Sequence, residues 1–149
     1  ADGVRDAPAP FALSRPLRFG PELGPGARLR PGAYGVVLNA GRVLVVRAPQ
    51  GIYLPGGGLD AGESPSDAVR REFVEETGCE FTVREELGCV EQVAKAGSVL
   101  KVCWFFSGDL GACDGQGEDD HEVLWLSVEE AGDVLAEEAH RWAVGRATA

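Results

Sequence analysis

The stretch GGGLDAGESPSDAVRREFVEETG, residues 56–78, joins a run of glycines to a charged segment that carries the signals of a helix. Ser64 is a residue type that caps helix N-termini, and Pro65 suits the first helical position. Gly78 suits the left-handed conformation in which many helices end. The sequence therefore predicts a flexible glycine loop followed by one helix between Ser64 and Gly78.

Three glutamates of this helix, Glu72, Glu75 and Glu76, are spaced by three and four residues and therefore share one helical face. Each like-charged pair at such a spacing destabilises a helix by roughly 0.2–0.5 kcal/mol, and Glu75 and Glu76 also lie at the negative end of the helix dipole. A divalent cation would turn these repulsions into attraction, since Mg²⁺ binds carboxylate oxygens together with substrate phosphates. The crowding predicts a metal site, with a solvated acidic face as the alternative.

The glycine run partly matches two known phosphate-binding loops. Residues 57–64 nearly match the GxxxxGK[ST] loop, but Glu63 stands where that loop needs a lysine, and its carboxylate would repel phosphates. Residues 56–61 form a loose dinucleotide fingerprint, but Pro55 separates them from the preceding strand and no βαβ repeat follows. Neither loop explains the segment.

The pattern GX5EX7REUXEEXGU of the Nudix box fits residues 57–79 at every constrained position, with Cys79 at the last apolar one. On this motif and the LPGG before it, the chain resembles the Nudix (MutT-like) hydrolase family over residues 32 to about 145. The resemblance implies an α+β chain with the Nudix fold, an α/β/α sandwich around a mixed β-sheet. It also implies Mg²⁺- or Mn²⁺-dependent hydrolysis of a nucleoside diphosphate linked to another group.

The same resemblance implies roles for individual residues. Glu72, Glu75 and Glu76 would bind the cations and take part in catalysis, with Glu72 as the first choice for the general base. The backbone carbonyl of Gly56 would join the metal ligands. The motif also contains residues whose role would be structural, among them an ion pair that fixes the loop against the helix: Gly57, Glu63, Arg71 and Gly78.

An acidic loop, GEDDHEV at residues 117–123, could supply a further carboxylate to the metal or to the reaction; the candidates are Glu118, Asp119, Asp120 and Glu122. Glu122 is the first choice, because strand periodicity places it on the same face as the apolar Leu124. An unpaired carboxylate at the edge of a buried face is costly unless it meets a cation. A plain solvated loop is the alternative.

The rest of the chain predicts strands around this helix. A hairpin is expected from residues 33–39 and 42–48, and a short strand at residues 52–54. Further strands are expected at residues 81–93, 98–108 and 121–127. A last helix should run from Val128 to about Arg146, with Gly132 as a weak point.

The N-terminal residues differ in composition from the remainder. Residues 1–31 contain five arginines against three acidic residues, and six of the nine prolines. They are predicted to form an irregular Pro/Gly/Arg-rich arm, and residues 32–149 the Nudix hydrolase domain. The arginines could serve an anionic ligand, but a solvated arm is the stronger expectation.

Charge and hydropathy exclude several classes of partner. The net charge of −10 argues against binding to a nucleic-acid backbone, which needs clustered Lys and Arg. The absence of a long apolar stretch argues against a membrane span, and the N-terminus lacks the apolar core of a secretory signal. A cytoplasmic protein is expected, with a homodimer left open and with reduced thiols at its cysteines: Cys79, Cys89, Cys103 and Cys113.

The expected partner is a nucleotide or another small molecule that contains a diphosphate. A nucleoside triphosphate pyrophosphohydrolase or a broad-specificity enzyme fits best, since markers of other subfamilies, such as a tyrosine or proline after the box, are missing. A diphosphatase acting on an isoprenoid or inositol compound, or a non-catalytic nucleotide sensor, remains the alternative. No residue is assigned to substrate binding, although some aromatic side chains are candidates for stacking on a base: Tyr53, Trp104, Phe105, Phe106 and Trp125.

Overall fold

A computed structural model describes residues 16–113 and 115–149. The strands before the central helix are β1 (Arg18–Phe19), β2 (Arg28–Val36), β3 (Leu38–Asn39), β4 (Arg42–Ala48), β5 (Gly51–Tyr53) and β6 (Gly56–Gly58). Helix α1 (Pro65–Thr77) is followed by β7 (Cys79–Ala94), a 3-10 turn (Lys95–Gly97), β8 (Val99–Cys113), β9 (Glu122–Ser127), α2 (Val128–Val134) and α3 (Glu138–Thr148).

The strands form two sheets. The larger sheet has the order β1-β7-β8-β2-β6, in which β1 with β7 and β2 with β8 are parallel pairs and the other pairs are antiparallel. The smaller sheet is antiparallel and has the order β9-β4-β3, with β5 also paired to β4. The predicted mixed sheet is confirmed.

The buried apolar residues form two clusters, one on each side of the strands. Val43 and Val45 of β4 belong to the cluster that contains the buried residues of α2 and α3. Leu44, which lies between them, belongs to the cluster that contains the buried residues of α1. Because neighbouring strand residues point to opposite faces, helices cover both sides of the strands. The predicted α/β/α sandwich of the α+β class is confirmed.

Helix α1 begins and ends at the predicted caps. The Oγ of Ser64 accepts a hydrogen bond from the N–H of Asp67 at 3.1 Å. Gly78 adopts a left-handed φ of 74° and donates its N–H to the carbonyl of Val74 at 2.9 Å. Because both caps satisfy backbone groups that the helix cannot pair internally, they hold the charged face of α1 in a fixed register.

The glycine run is not the flexible loop that its composition suggests. Gly56, Gly57 and Gly58 form strand β6, which pairs antiparallel with β2 opposite Tyr34, Ala33 and Gly32. This edge strand lies between the larger sheet and the start of α1. The fold therefore places three glycine backbones in a defined position beside the charged helix.

The C-terminal residues form two helices, where one was predicted. The break lies at Leu135–Glu137, and Gly132 is inside α2. Leu135 is buried and bridges to Ile52, whose carbonyl accepts the N–H of Ala136 at 2.9 Å. Contact with β5 therefore ends the helix, which composition alone does not reveal.

No helix within the described ranges is long and apolar enough to cross a bilayer.

The larger sheet extends into the predicted N-terminal arm. Residues 1–15 lie outside the described residues, but Arg18–Phe19 pairs with β7, and β2 begins at Arg28 instead of after residue 31. The register of Arg28 opposite Val99 of β8 explains the early start, because parallel pairing continues along the whole of β2. Residues 18–19 and 28–31, which were assigned to the arm, therefore belong to the larger sheet.

The prediction of reduced thiols is wrong for two of the four cysteines. Cys79 at the start of β7 and Cys113 at the end of β8 form a disulfide. The two are register partners in the antiparallel pair, although 34 positions separate them in sequence. Cys89 and Cys103 are free thiols, as expected.

Candidate functional site

The backbone of β6 lies directly against a carboxylate of α1. A Cβ atom built on Gly57 would lie 2.5 Å from the Cδ of Glu72 and 2.6–2.7 Å from its two oxygens. Such distances are shorter than van der Waals contact, so residue 57 must lack a side chain if Glu72 is to hold this position. The absence of a side chain at Gly57 thus leaves room for the helix carboxylate beside strand β6.

Arg71 joins the glycine strand to the helix. Its Nε and Nη2 donate to the two carboxylate oxygens of Glu63 at 2.8 and 2.9 Å, and Nη2 also donates to the carbonyl of Gly58 at 2.9 Å. Nη1 reaches Glu72 at 3.2 Å and both oxygens of Glu75 at 3.2–3.3 Å. The hydrogen bonds from Arg71 lower the pKa of Glu63 to about 2. The Arg71–Glu63 pair therefore has the geometry of a structural clamp.

Glu76 is enclosed and short of positive charge. Its side chain is 15% exposed, and its Oε1 accepts the N–H of Gly56 at 3.1 Å. Burial raises the pKa of Glu76 to about 7, opposed by the Gly56 hydrogen bond and reinforced by the charge of Glu72. The contact of Gly56 seen here is made by its amide, and metal binding by its carbonyl stays a prediction.

Glu72 and Glu75 occupy different environments. Glu72 is as enclosed as Glu76, and burial raises its pKa, opposed by Arg71 and reinforced by Glu75. Glu75 is 48% exposed and is paired with Arg71. Two of the three predicted carboxylates therefore share an enclosed region, and the third lies at its solvent-facing edge.

The loop between β8 and β9 approaches the C-terminal end of α1. Ligand atoms of Glu76, Glu118 and His121 all lie within 4.8 Å of one another. The Nε2 of His121 is 3.9 Å from Glu76, while its Nδ1 is 2.7 Å from Asp120 and 3.5 Å from Glu118. Asp120 thus orients the imidazole so that Nε2 faces the enclosed carboxylate.

Glu122, the first choice from the acidic loop, is not brought to this group. Its side chain is exposed and forms an ion pair of 2.9 Å with Arg47, its register partner across β4 and β9. Glu118 takes the place expected of Glu122, while Asp119 is exposed. Metal binding by a carboxylate of this loop, Glu122 included, stays a prediction.

A cavity of about 590 Å³ opens beside these carboxylates. Its lining includes the whole of β6, with Glu76 and His121 from the acidic cluster. Basic and aromatic residues complete much of the remaining wall: Arg30, Lys95, Lys101, Tyr34 and Tyr53. A cavity of this size accommodates a small organic ligand.

The five residues predicted to stack on a base lie in two different places, the cavity wall and the hydrophobic core. Tyr53 lines the cavity. Phe105 and Phe106 are buried, and Trp104 and Trp125 pack against the cluster that contains the buried residues of α1. Only Tyr53 among the five candidates is therefore positioned to contact a ligand in this cavity.

The donor set fits a divalent cation. Carboxylate oxygens suit Mg²⁺ and Mn²⁺. A cation near Glu76 would favour the charged carboxylate and so offset the burial and the repulsion that raise its pKa. An imidazole nitrogen is more typical of transition ions than of Mg²⁺. The carboxylates present could therefore hold a hard divalent cation, with His121 next to them and not as its main ligand.

Sequence reasoning missed several residues of the site, chiefly His121, Tyr34 and Lys101. His121 had a usable signal, since it is one of two histidines in the chain and directly follows Asp120 in the acidic loop. Tyr34 and Lys101 had none, because each lies in an alternating strand pattern and reaches the cavity only through sheet pairing.

Comparison with known proteins adds an independent line of evidence. The sequence of residues 28–146 matches the protein family described as the NUDIX domain. A "MutT-like protein" from Streptomyces ambofaciens is 35% identical over 104 residues, which cover 68% of this chain and 66% of that protein. The chain thus spans just under two thirds of the length of this relative.

Solved structures share the same architecture. A NUDIX hydrolase from Nitrosomonas europaea superposes with a TM-score of 0.73 at 20% identity, covering 81% of this chain and 89% of its own. A MutT NUDIX hydrolase from Burkholderia pseudomallei gives a TM-score of 0.66 at 27% identity, covering 80% of this chain and 98% of its own.

Proposed function

Because the chain belongs to the NUDIX hydrolase family, whose members cleave diphosphate linkages, we propose that it hydrolyses such a linkage in a nucleoside diphosphate derivative with Mg²⁺ or Mn²⁺. The observation that carries the proposal is the convergence of Glu76, Glu118 and His121, two of which, Glu76 and His121, line a cavity of about 590 Å³. A diphosphate entering alone would meet enclosed negative charge, whereas a cation in this cluster would reverse the repulsion.

The proposed metal ligands are carboxylates from two elements. Glu72 and Glu76 would come from α1, and Glu118 from the loop before β9. Glu75 stays a predicted ligand at the exposed edge, next to Arg71. When bound, the cation would neutralise the charge that develops on the diphosphate oxygens and make the attacking water more acidic.

The chain's own residues would then position the substrate and move the proton. Glu72 is the proposed general base, because its carboxylate is enclosed and lies directly against β6, the glycine strand that lines the cavity. Arg30 and Lys95 line the cavity and would pair with the phosphates. Arg71 would keep the glycine strand and the helix together during turnover.

A nucleoside triphosphate pyrophosphohydrolase or a broad-specificity enzyme is the favoured assignment, since Tyr53 offers an aromatic face in the cavity. Isoprenoid and inositol diphosphates are the alternative substrates. A panel of nucleotides and these two compounds, scored for release of phosphate or pyrophosphate, distinguishes them. A non-catalytic sensor would bind a nucleotide of the panel without releasing either product.

Chelation tests the metal requirement. EDTA should abolish turnover, and added Mg²⁺ or Mn²⁺ should restore it, because the enclosed carboxylates repel a polyphosphate in the absence of a cation. Circular dichroism in the same buffers would verify that EDTA leaves the domain folded. Undiminished turnover in excess chelator would rule out the proposed chemistry.

Two substitutions in the acidic loop test which carboxylate serves the metal. Glu118→Ala should raise the Mg²⁺ concentration needed for half-maximal rate by about tenfold or more, because removing a side chain at a metal site commonly lowers the metal affinity by that much. Glu122→Ala is the matched control, and should change little because its ion pair with Arg47 is exposed. The reverse result, a Mg²⁺ requirement altered only by Glu122→Ala, would restore Glu122 as the ligand.

A further inference from the structure

A second polar group lines the same cavity and has no part in the chemistry proposed above. Lys101 of β8 and Glu137, just before α3, form an ion pair in which Nζ lies 2.6 Å from Oε2. The side chains of Lys101 and Glu137 are only 25% and 12% exposed. Enclosing an ion pair costs desolvation energy, which hydrophobic residues at these positions would avoid. The pair therefore calls for an explanation beyond stability.

A buried histidine lies on the side of Glu137 that faces away from Lys101. His140 is fully buried, and its Nδ1 accepts the N–H of Leu54 at 3.0 Å. Burial lowers the pKa of His140 to about 3, so the ring is neutral and carries its proton on Nε2. Nε2 lies 3.5 Å from the Oε1 of Glu137, and neither atom forms a hydrogen bond.

This arrangement leaves one donor and one acceptor side by side at the cavity wall. The Oε1 of Glu137 is enclosed and faces His140, so a ligand that contacts this carboxylate must use Oε2. The ammonium of Lys101 has three N–H groups, of which Glu137 occupies one. The same ammonium lies 5.9 Å from the ring centroid of Tyr53, which adds an aromatic face to the polar pair.

We propose that Lys101 and Glu137, with Tyr53 beside them, form a specificity site that reads the edge of a nucleobase. A heteroaromatic ring that displays an acceptor next to an N–H donor matches Nζ and Oε2, and its face can stack on Tyr53. An isoprenoid chain would cover this ion pair and leave the remaining N–H groups of Lys101 without hydrogen-bond partners, and an inositol ring has no aromatic face. The inference rests on the proposed function and narrows its substrates to nucleotides.

Binding of a ligand that cannot be hydrolysed separates this inference from catalysis. Equilibrium dialysis in Mg²⁺ would compare methylene-bridged nucleoside triphosphates with methylenediphosphonate, which has no base. The wild-type protein should bind at least one of the nucleotides about tenfold or more tightly than the compound without a base. Glu137→Gln should remove most of that difference and leave the affinity for methylenediphosphonate unchanged.

Control variants distinguish base recognition from phosphate binding and from misfolding. Arg30→Gln should lower the affinity for the nucleotide analogue and for methylenediphosphonate together. Glu129→Gln, at an exposed position of α2, should change neither affinity. Tyr53→Leu leaves the ion pair intact and should also reduce the nucleotide preference, so it replaces Glu137→Gln if that variant has a lowered melting temperature. The inference would be overturned if the wild-type protein bound the two compounds equally well, or if it preferred a prenyl diphosphonate. The proposed function would survive that result if the protein still hydrolysed another diphosphate.

Discussion

Replacing Glu76 with glutamine is expected to lower turnover by roughly 100-fold or more while leaving the domain folded. Glutamine keeps the shape of the side chain and can still accept the hydrogen bond from Gly56. It removes the negative charge from the place where Glu118 and His121 converge. Steady-state rates at saturating Mg²⁺, with circular dichroism on the same samples, would measure both effects.

The same substitution should stabilise the metal-free protein in a pH-dependent way. Glu76 has a pKa of about 7 in the folded chain, raised by burial from 4.5, so the folded state binds more protons than the unfolded state between these values. The stability of the wild-type protein in EDTA should therefore fall as pH rises from 4.5 to 7, by an amount on the order of 3 kcal/mol. Glu76→Gln lacks this ionisation and should be more stable than the wild-type protein at pH 8, but not at pH 4.5.

Thermal unfolding in EDTA at these two pH values would measure the difference. Glu85→Gln, at an exposed position of β7, removes one acidic charge without touching the site and serves as the control. A stability gain that is equal at both pH values, or shared by Glu85→Gln, would contradict the assignment of the raised pKa to Glu76. Near-wild-type turnover would show that Glu76 is dispensable for the reaction.

Local sequence was sufficient for the central helix and its motif. The caps Ser64 and Gly78 act on the backbone within one helical turn, and the spacing of Glu72 and Glu76 is a property of the helix itself. The Nudix box, residues 57–79, is a continuous stretch that includes this helix, so the family and the sandwich fold could both be predicted. Apolar alternation then indicated where most of the strands lie, but not that residues 33–36 of the expected hairpin pair with β6 and β8 instead of with β4.

Features that depend on distant strands could not be obtained in this way. The disulfide joins residues 34 positions apart that meet only through the register of β7 and β8. Glu122 looked half-buried by periodicity, but its pairing with Arg47 of β4 leaves it exposed. His121 and Lys101 reach the cavity from separate strand ends, and nothing within either local pattern indicates a shared site.

The three glycines of β6 should respond differently to alanine, because each faces a different neighbour. A Cβ on Gly56 would collide with the backbone of Ala33 and lie 2.6 Å from the Cα of Tyr34, at a φ of 151° that side chains rarely adopt. Backbone atoms of a paired strand cannot move aside independently. Gly56→Ala is therefore expected to destabilise the domain by about 3 kcal/mol or more.

Gly57→Ala should damage the site more than the fold. Its Cβ would meet the carboxylate of Glu72 at 2.5–2.7 Å, and this is the end of a flexible side chain that can rotate away. Because Glu72 would leave its place, turnover should fall by roughly 10- to 100-fold, with a stability loss of about 1 kcal/mol. Gly58→Ala is the matched control, since the nearest contact of its Cβ is the carbonyl of Pro31 at 3.8 Å.

Urea unfolding and steady-state kinetics on the three variants would separate these effects. The geometry requires a large stability loss at Gly56, a rate loss in a folded protein at Gly57, and little change of either kind at Gly58. If Gly57→Ala kept the wild-type rate, the close approach of Glu72 to β6 would have no catalytic consequence, and its assignment as general base would fail. If all three variants were equally destabilised, the glycines would serve backbone conformation alone, and the contact with Glu72 would not explain the glycine at position 57.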